Sequence, residues 1–428
     1  MRKPGYLNPA PIIALVALAM LSLAAWPQQF APETLNGAAA PSIPYSPSAA
    51  AAAQGGMAEP GGITLKLMGM LVSVELSVNV DVRHDDNIYL ESSNPSADRI
   101  LVLTPALRLE TRQGTNTFSL SMSSAMGRYQ KSTADNYSNT NVNGVADFDL
   151  GTRLRTRLEA DYLDGVDPRG STNNPISATP DHYRQTRGRG IFSYGAQGAR
   201  GRVDFELGRL QRDYLNNRET TAASDRVIDD LGATFNWRIG PKTTLLFQGK
   251  HSNIDYADPT STLGSVESAL LLGGTWEASA KTSGTFRLGP VRKTFDDSAR
   301  DSYTSVGWLG AVRWSPRTYS HVDLDFTRAP SETTGGVGDF IDRTSTGARW
   351  SHEWNSRLAT EARASYLNEA YQGVQRTDKI QNYGFRADYK MRRWLSLGGD
   401  YAYSVRRSND GDFDYRRNVF MLFLHATL

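Results

Sequence analysis

The last nine residues, Phe420-Met421-Leu422-Phe423-Leu424-His425-Ala426-Thr427-Leu428, carry an apolar side chain at every second position up to the carboxylate. A strand points successive side chains to opposite faces, so Phe420, Leu422, Leu424, Ala426 and Leu428 share one of them. An apolar face of that kind suits lipid, and a strand with no polar tail behind it suits the closing strand of a transmembrane barrel, whose partner is the first strand. A soluble sandwich whose final strand happens to be amphipathic is the alternative, and the repetition of the pattern along the chain decides between them.

The same period of two recurs upstream. Val72, Val74, Leu76, Val78, Val80 and Val82 oppose Ser73, Glu75, Ser77, Asn79, Asp81 and Arg83. Phe118, Leu120 and Met122 oppose Ser119, Ser121 and Ser123, and Leu154, Leu158, Ala160 and Tyr162 oppose Arg153, Arg155, Arg157, Glu159 and Asp161. A charged face and an apolar face cannot both meet a dry core. The charged face is therefore assigned to a wet lumen and the apolar one to lipid.

Connections alternate in length. Short turns are read at Gln113-Gly114-Thr115, Gly151-Thr152, Gln197-Gly198, Gly240-Pro241, Ser279-Ala280, Ser315-Pro316, Asn355-Ser356 and Arg392-Arg393. Between them fall long polar loops centred on Asn87, Ala134, Asn173, Asn217, Pro259, Ser298, Gly336, Gly373 and Asp410. Nine long and eight short connections predict an all-β, antiparallel, up-and-down outer-membrane barrel of about eighteen strands, sixteen being the other even count considered, with both ends on the short-turn side. Trp237, Trp276, Trp314, Trp354 and Trp394 each lie beside a short turn. An indole there buries its ring and keeps its N–H among head groups, which predicts a periplasmic girdle.

Composition agrees where it bears on the argument. The mean hydropathy of −0.46 looks soluble, as expected of a barrel that hides its membrane face in alternation. The chain has no cysteine, which removes disulfides, thiolate metal sites, cysteine nucleophiles and lipoprotein acylation together. A net charge of +2 gives no reason to expect a nucleic-acid partner. Arg2 and Lys3 followed by the apolar run Ile12 to Ala25 read as a signal peptide over residues 1–26. That run is shorter than the ~20 residues of a membrane span, which makes a retained anchor the weaker reading. Residues 27–71 are assigned to a periplasmic linker, disordered where Ala38 to Ala58 is rich in Ala, Pro and Ser, and 72–428 to the barrel. The short apolar segment Ile63 to Leu71 either lines the barrel mouth or plugs it.

Candidate functional residues lie on the charged face. Arg153, Arg155 and Arg157, with Arg187 and Arg189 on the next strand, form the densest basic patch, suited to carboxylate or phosphate groups on an acidic glycan. The plainer reading is cross-strand pairing with carboxylates such as Glu159, Asp161, Asp204 and Glu206 for solvation and register. His321, Asp323 and Asp325 share a face, but a strand sets them about 7 Å apart per step, too far to hold one ion. No metal site and no cofactor are expected. Six scattered histidines without a motif argue against a hydrolase, and Asp164 and Asp167 read as loop-capping groups beside Pro168-Arg169.

The segments Asp85-Asp86-Asn87-Ile88-Tyr89-Leu90, Val102-Leu103-Thr104-Pro105-Ala106-Leu107-Arg108-Leu109 and Leu163-Asp164-Gly165-Val166-Asp167-Pro168-Arg169-Gly170 resemble the outer-membrane family called putative β-barrel porin 2. The resemblance covers about Val72 to Leu428 in layout. It implies a channel, without catalytic residues, for secretion of an exopolysaccharide, as in biofilm formation. The expected partners are the polysaccharide itself, outer-membrane lipid, the barrel assembly machinery and periplasmic polysaccharide export proteins. A diffusion porin for small solutes is the alternative that the same barrel would serve.

Overall fold

The computed structural model describes residues 63–67 and 69–427, apart from 175, 197 and 280. The signal peptide and the Ala38 to Ala58 linker read from the sequence lie outside the described residues. Within them the chain forms nineteen strands. They are β1 (Ile63–Leu67), β2 (Met70–Asp85), β3 (Asp98–Gln113), β4 (Asn116–Tyr129), β5 (Tyr137–Asp149), β6 (Leu154–Asp167), β7 (Asp181–Tyr194), β8 (Gly201–Tyr214), β9 (Arg226–Gly240) and β10 (Thr243–Tyr256). There follow β11 (Ser265–Ser279), β12 (Thr282–Phe295), β13 (Tyr303–Arg317), β14 (Ser320–Ser331), β15 (Phe340–Glu353), β16 (Leu358–Gln372), β17 (Arg376–Arg392), β18 (Leu395–Ser408) and β19 (Tyr415–Thr427).

From β2 to β19 each strand pairs with its successor, and β19 returns to β2, closing an eighteen-strand antiparallel barrel. The seam runs from Val419 opposite Asp85 to Thr427 opposite Ser77. Arg417 ion-pairs with Asp85 at its upper end, and the Asp86 carboxylate accepts from the Asn418 backbone N–H at 2.6 Å. Below Ser77 the edge of β2 passes to β1, which pairs Ile63 with Val74 and Leu67 with Met70. Ile63 to Leu71 thus neither lines the mouth nor plugs it. It extends the wall at the short-turn end, because the edge that β19 leaves open needs backbone partners.

The alternation orients the wall as the sequence predicts. On β19, Phe420, Leu422 and Leu424 are exposed outward, while Val419, Met421 and Phe423 are buried inward. On β2, Asn79, Asp81, Arg83 and Asp85 are buried in the lumen and Val82 is exposed on the outside. Trp237, Trp314, Trp354 and Trp394 are exposed beside the short turns, joined there by Tyr194, Tyr319 and Tyr389. This aromatic girdle beside the short turns marks the periplasmic side, since single-chain barrels keep short turns there and long loops outside.

Two connections differ from the sequence reading. The turn expected at Ser315-Pro316 falls at Thr318-Tyr319. Pro316 instead sits inside β13 where the register with β14 shifts, because a residue without an N–H is tolerated at an irregularity that needs no donor. The loop expected around Gly373 is a three-residue turn, Gly373 to Gln375, made tight by Gly373 at φ +79°. The strand count survives both changes, and the β16–β17 connection is an exception to the alternation of long and short connections.

Single cysteines at the exposed loop residues Ser298 and Asp410 should react with a membrane-impermeant maleimide on intact cells, whereas cysteines at Thr115 and Lys242 should react only after lysis. Labelling in the opposite pattern would invert the topology.

Candidate functional site: the lumen and its mouth

Inward-facing charges form a ladder of pairs from the short turns upward. Arg313 meets Asp323 at 2.6 Å, Arg386 meets Asp388 at 2.7 Å and Arg202 meets Asp204 at 2.9 Å. Arg363 crosses β17 to reach Asp400 on β18 at 2.8 Å. It does so over Gly384, where a Cβ would lie 2.6 Å from the guanidinium carbon. Alanine at 384 would make the Arg363 guanidinium shift, which the flexible end of that side chain can do at small cost.

The basic patch read from the sequence lies in this ladder. Arg153 is exposed in the turn before β6, and Arg155 and Arg157 follow on the lumen face near the periplasmic end. Arg157 meets Glu159 at 2.6 Å and Asp147 at 3.3 Å. Arg189 bridges Glu206 at 2.8 Å and Glu159 at 3.5 Å, and Arg187 is buried opposite Asp161. The structure therefore brings Arg155, Arg157, Arg187 and Arg189 to one wall and interleaves them with carboxylates, leaving Arg153 at its rim. Asp167 is not a loop cap. It is buried on β6, accepting from Arg212 at 2.7 Å and from the Tyr214 hydroxyl at 2.8 Å.

Higher up, the wall changes character. β13 pairs with β14 only as far as Trp308 opposite Arg328, although β12 and β13 stay paired up to Tyr303. β14 and β15 remain paired with each other to Ser331 opposite Ile341. Pro330 lies just past the point of separation and has no N–H to give to β13. The upper β14–β15 hairpin leaves the wall and bends inward, so that its outer-face residues pack on the inner face of β12 and β13. Phe340 is buried against Phe295 and Tyr303, and the Tyr303 hydroxyl donates to Asp342 at 2.9 Å.

The tip of that hairpin is pinned. Glu332 is buried and accepts from Lys293 at 2.7 Å and from the Tyr256 hydroxyl at 2.7 Å. Burial pushes its carboxyl up, but the facing Lys293 ammonium, its hydrogen bond and the charge of Arg226 outweigh that and hold it below the usual range. Thr333, Thr334 and Ser224 are buried although all three belong to loops. The loop after β6 reaches in to meet them: the Asn173 backbone N–H donates to Thr334 at 3.2 Å. The Asn173 side-chain oxygen accepts from Tyr371 at 3.2 Å and Arg376 at 3.0 Å. These groups stand on β16 and β17, almost across the barrel from β6. Gly335, at φ +66°, lies against the Asn173 carbonyl, and its N–H donates to Ser224. A strap of polar backbone and short hydroxyl side chains thus crosses the mouth.

The root of the strap is held by Arg169, which stacks over Tyr89 at 4.3 Å and pairs with Asp135 at 2.5 Å. Beneath it the lumen carries apolar patches that the sequence reading assigned no place. Ile100, Val102 and Ala125 form one, Leu210, Ile228 and Ile254 a second, and Ala269, Leu271, Val291 and Ala329 a third. Their signal in the sequence is a loss of alternation, as in Ile100-Leu101-Val102-Leu103 and Ala269-Leu270-Leu271-Leu272, where both faces turn apolar.

A closed eighteen-strand wall with a charged lumen and aromatic girdle defines an outer-membrane channel of the porin type. The family model for putative β-barrel porin 2 matches residues 73–427, and the chain belongs to that family. Among curated proteins no sequence matches significantly. Solved structures with a similar fold include OpdO of Pseudomonas aeruginosa, at 14% identity and TM-score 0.48 over 83% of this chain and 97% of that one. OccAB3 of Acinetobacter baumannii is similar at 12% identity and TM-score 0.45, over 83% and 99%. The FrpB iron transporter of Neisseria meningitidis is similar at 11% identity and TM-score 0.43 over 78% of this chain, which spans 62% of that transporter.

Replacing Glu332 by Ala leaves the Lys293 ammonium buried and unpaired, which costs about 3–5 kcal/mol, and should release the hairpin. Single-channel conductance in planar bilayers should rise above wild type; equal conductance would show that the pin does not hold the mouth. Acid should act in the same direction. A carboxyl lowered in the folded state stabilises that state above the ~4.3 of a free glutamate and loses the contribution as pH falls below that towards its own lowered value, so conductance should rise over that acid range.

Proposed function

We propose that the chain is a gated outer-membrane conduit that secretes a hydrophilic, acidic polysaccharide, working passively while synthesis and export machinery on the periplasmic side supply the energy. The observation that carries this reading is the ladder of alternating guanidinium and carboxylate groups along the lumen. Guanidinium groups bind carboxylate or phosphate on a glycan through paired hydrogen bonds, and carboxylates accept from sugar hydroxyls. Because each pair is internally balanced, each contact with a passing polymer is weak. Weak, repeated contacts suit a polymer that must slide rather than bind. The strap of Asn173, Thr334 and Gly335 supplies the gate in this reading: its hydrogen bonds are few, polar and replaceable by those of a sugar chain. The resemblance to an exopolysaccharide-associated family points the same way. The protein acts as a passage and performs no chemistry on its cargo.

A diffusion channel for small solutes is the competing reading, favoured by the porin family to which the chain belongs. Replacing Arg153, Arg155 and Arg157 together by Gln separates the two. Exposed pairs contribute only ~0–1 kcal/mol each, so the barrel should still fold and shift on heating in gel electrophoresis. Ion selectivity should move towards cations, and cells should secrete less polysaccharide at unchanged barrel abundance. Unchanged secretion from a folded, abundant variant, or from a deletion strain, would overturn the export reading and leave the diffusion channel.

A further inference from the structure

Around the outside of the barrel, just above the apolar belt, six basic residues face away from the lumen on six consecutive wall strands. They are Lys379 on β17, Arg407 on β18, Arg416 on β19, His84 on β2, Arg99 on β3 and Arg128 on β4. All are exposed, while the inward residues beside them, among them Asp378, Arg406, Tyr415, Arg83 and Asp98, are buried. The register crowds them. Lys379 stands directly opposite Arg407, and His84 directly opposite Arg99. Arg416 lies opposite Val405, one diagonal step from Arg407, and Arg128 lies opposite Leu101, one diagonal step from Arg99. Directly opposed side chains have Cβ atoms about 4.5–5.5 Å apart, and like charges there are destabilising.

Two other cations on the outer face toward the long loops do have carboxylate partners. Arg184 pairs with Asp164 at 3.5 Å and Arg209 with Asp229 at 3.1 Å. Among the described residues none of the six basic residues of the arc has such a carboxylate. Asp86, the acidic residue next along the chain after His84 and Asp85, is taken by the Asn418 backbone N–H and side-chain amide at 2.6 and 2.7 Å. Directly below begins the lipid-facing surface, with Phe385, Phe420, Leu422, Val82 and Leu101 all exposed. A row of uncompensated cations on the shoulder of an apolar wall needs an anion that itself ends in hydrocarbon.

We propose that this arc binds the phosphate groups of outer-leaflet glycolipid headgroups, with the acyl chains lying on the wall below. Guanidinium groups match phosphate oxygens bidentately, and two opposed cations can share one phosphate, which turns their mutual repulsion into a shared attraction. A lipid is the occupant because the arc lies on the outer wall rather than in the lumen, where a soluble polyanion would pass. Since the protein supplies the cations, binding needs no bridging divalent ion.

The test uses the full chain purified in neutral detergent and titrated with bisphosphorylated lipid A, read by native mass spectrometry in the presence of a chelator. The wild type should bind it, with affinity falling as salt rises, and should bind the dephosphorylated lipid about tenfold or more weakly. The variant carrying Arg99→Gln, Arg128→Gln, Lys379→Gln and Arg407→Gln should lose about tenfold or more in affinity, whereas Arg184→Gln with Arg209→Gln should stay near wild type. Should the fourfold variant not show the heat-dependent gel shift of a folded barrel, Lys379→Gln with Arg407→Gln gives the same reading in smaller measure. Equal binding of the dephosphorylated lipid, or undiminished binding by the folded variants, would overturn the proposal. So would displacement of the lipid by inorganic phosphate at equal concentration, which would make the arc a site for free phosphate.

Discussion

Inside hydrocarbon every backbone N–H and C=O must find a partner within the protein, and the architecture follows from that requirement. An open eighteen-strand sheet would leave two rows of unpaired backbone groups in lipid. The pairing of β19 with β2 removes both, and β1 takes over the stretch of β2 that β19 is too short to reach. Once the sheet is closed, the period of two sorts the side chains without further instruction: one face meets lipid and the other encloses water. The charged lumen is thus a consequence of closure, and the ion pairs in it adjust its chemistry more than they hold it together.

The place where closure is incomplete is the place where the molecule does something other than stand in a membrane. Pro330 withholds one donor above the level of Arg328, β13 and β14 part, and the freed hairpin turns inward. Turning inward moves it from lipid-facing wall to a polar mouth, where Lys293 and Tyr256 donate to the Glu332 carboxylate, the Asn173 N–H donates to the Thr334 hydroxyl and the Ser224 hydroxyl accepts from the Gly335 N–H. The apolar lumen patches around Leu271 and Val291 lie beneath the returning hairpin, next to Ala329 at its base. Wall, hairpin and strap form one arrangement, in which a missing N–H frees the hairpin and the buried Glu332–Lys293 pair pins its tip at the mouth.

The fold was legible because it is repetitive. Phe420, Leu422 and Leu424 mark a lipid face on their own strand, and the recurrence of such faces between alternating short and long connections yields eighteen strands and their orientation. The candidate site was legible only in part. Arg157 and Arg189 could be placed on the lumen by parity, but their carboxylate partners, Asp147 and Glu206, come from neighbouring strands whose register no local pattern specifies. The mouth was not legible. Asn173 and Gly336 read as centres of outside loops because polar, glycine-containing segments look alike whether they reach into solvent or fold back into a lumen. Asn173 meets Arg376 some two hundred residues further along the chain, a contact fixed by barrel closure and invisible to any window of sequence. Pro330 and the doubly apolar runs near Leu271 were the available signals, since each breaks the alternation that the rest of the wall obeys.

The central claim, that the inward hairpin and the loop after β6 meet across the mouth and set the passage, can be tested by joining them. The chain has no cysteine of its own, so Asn173→Cys with Thr334→Cys introduces a single pair at a contact now made by a 3.2 Å hydrogen bond. Under oxidising conditions the pair should form a disulfide, seen as a mobility change reversed by reductant, and single-channel conductance should fall on oxidation and recover on reduction. Failure of the cysteines to join in a folded barrel, or a conductance that ignores the bond once it has formed, would contradict the account.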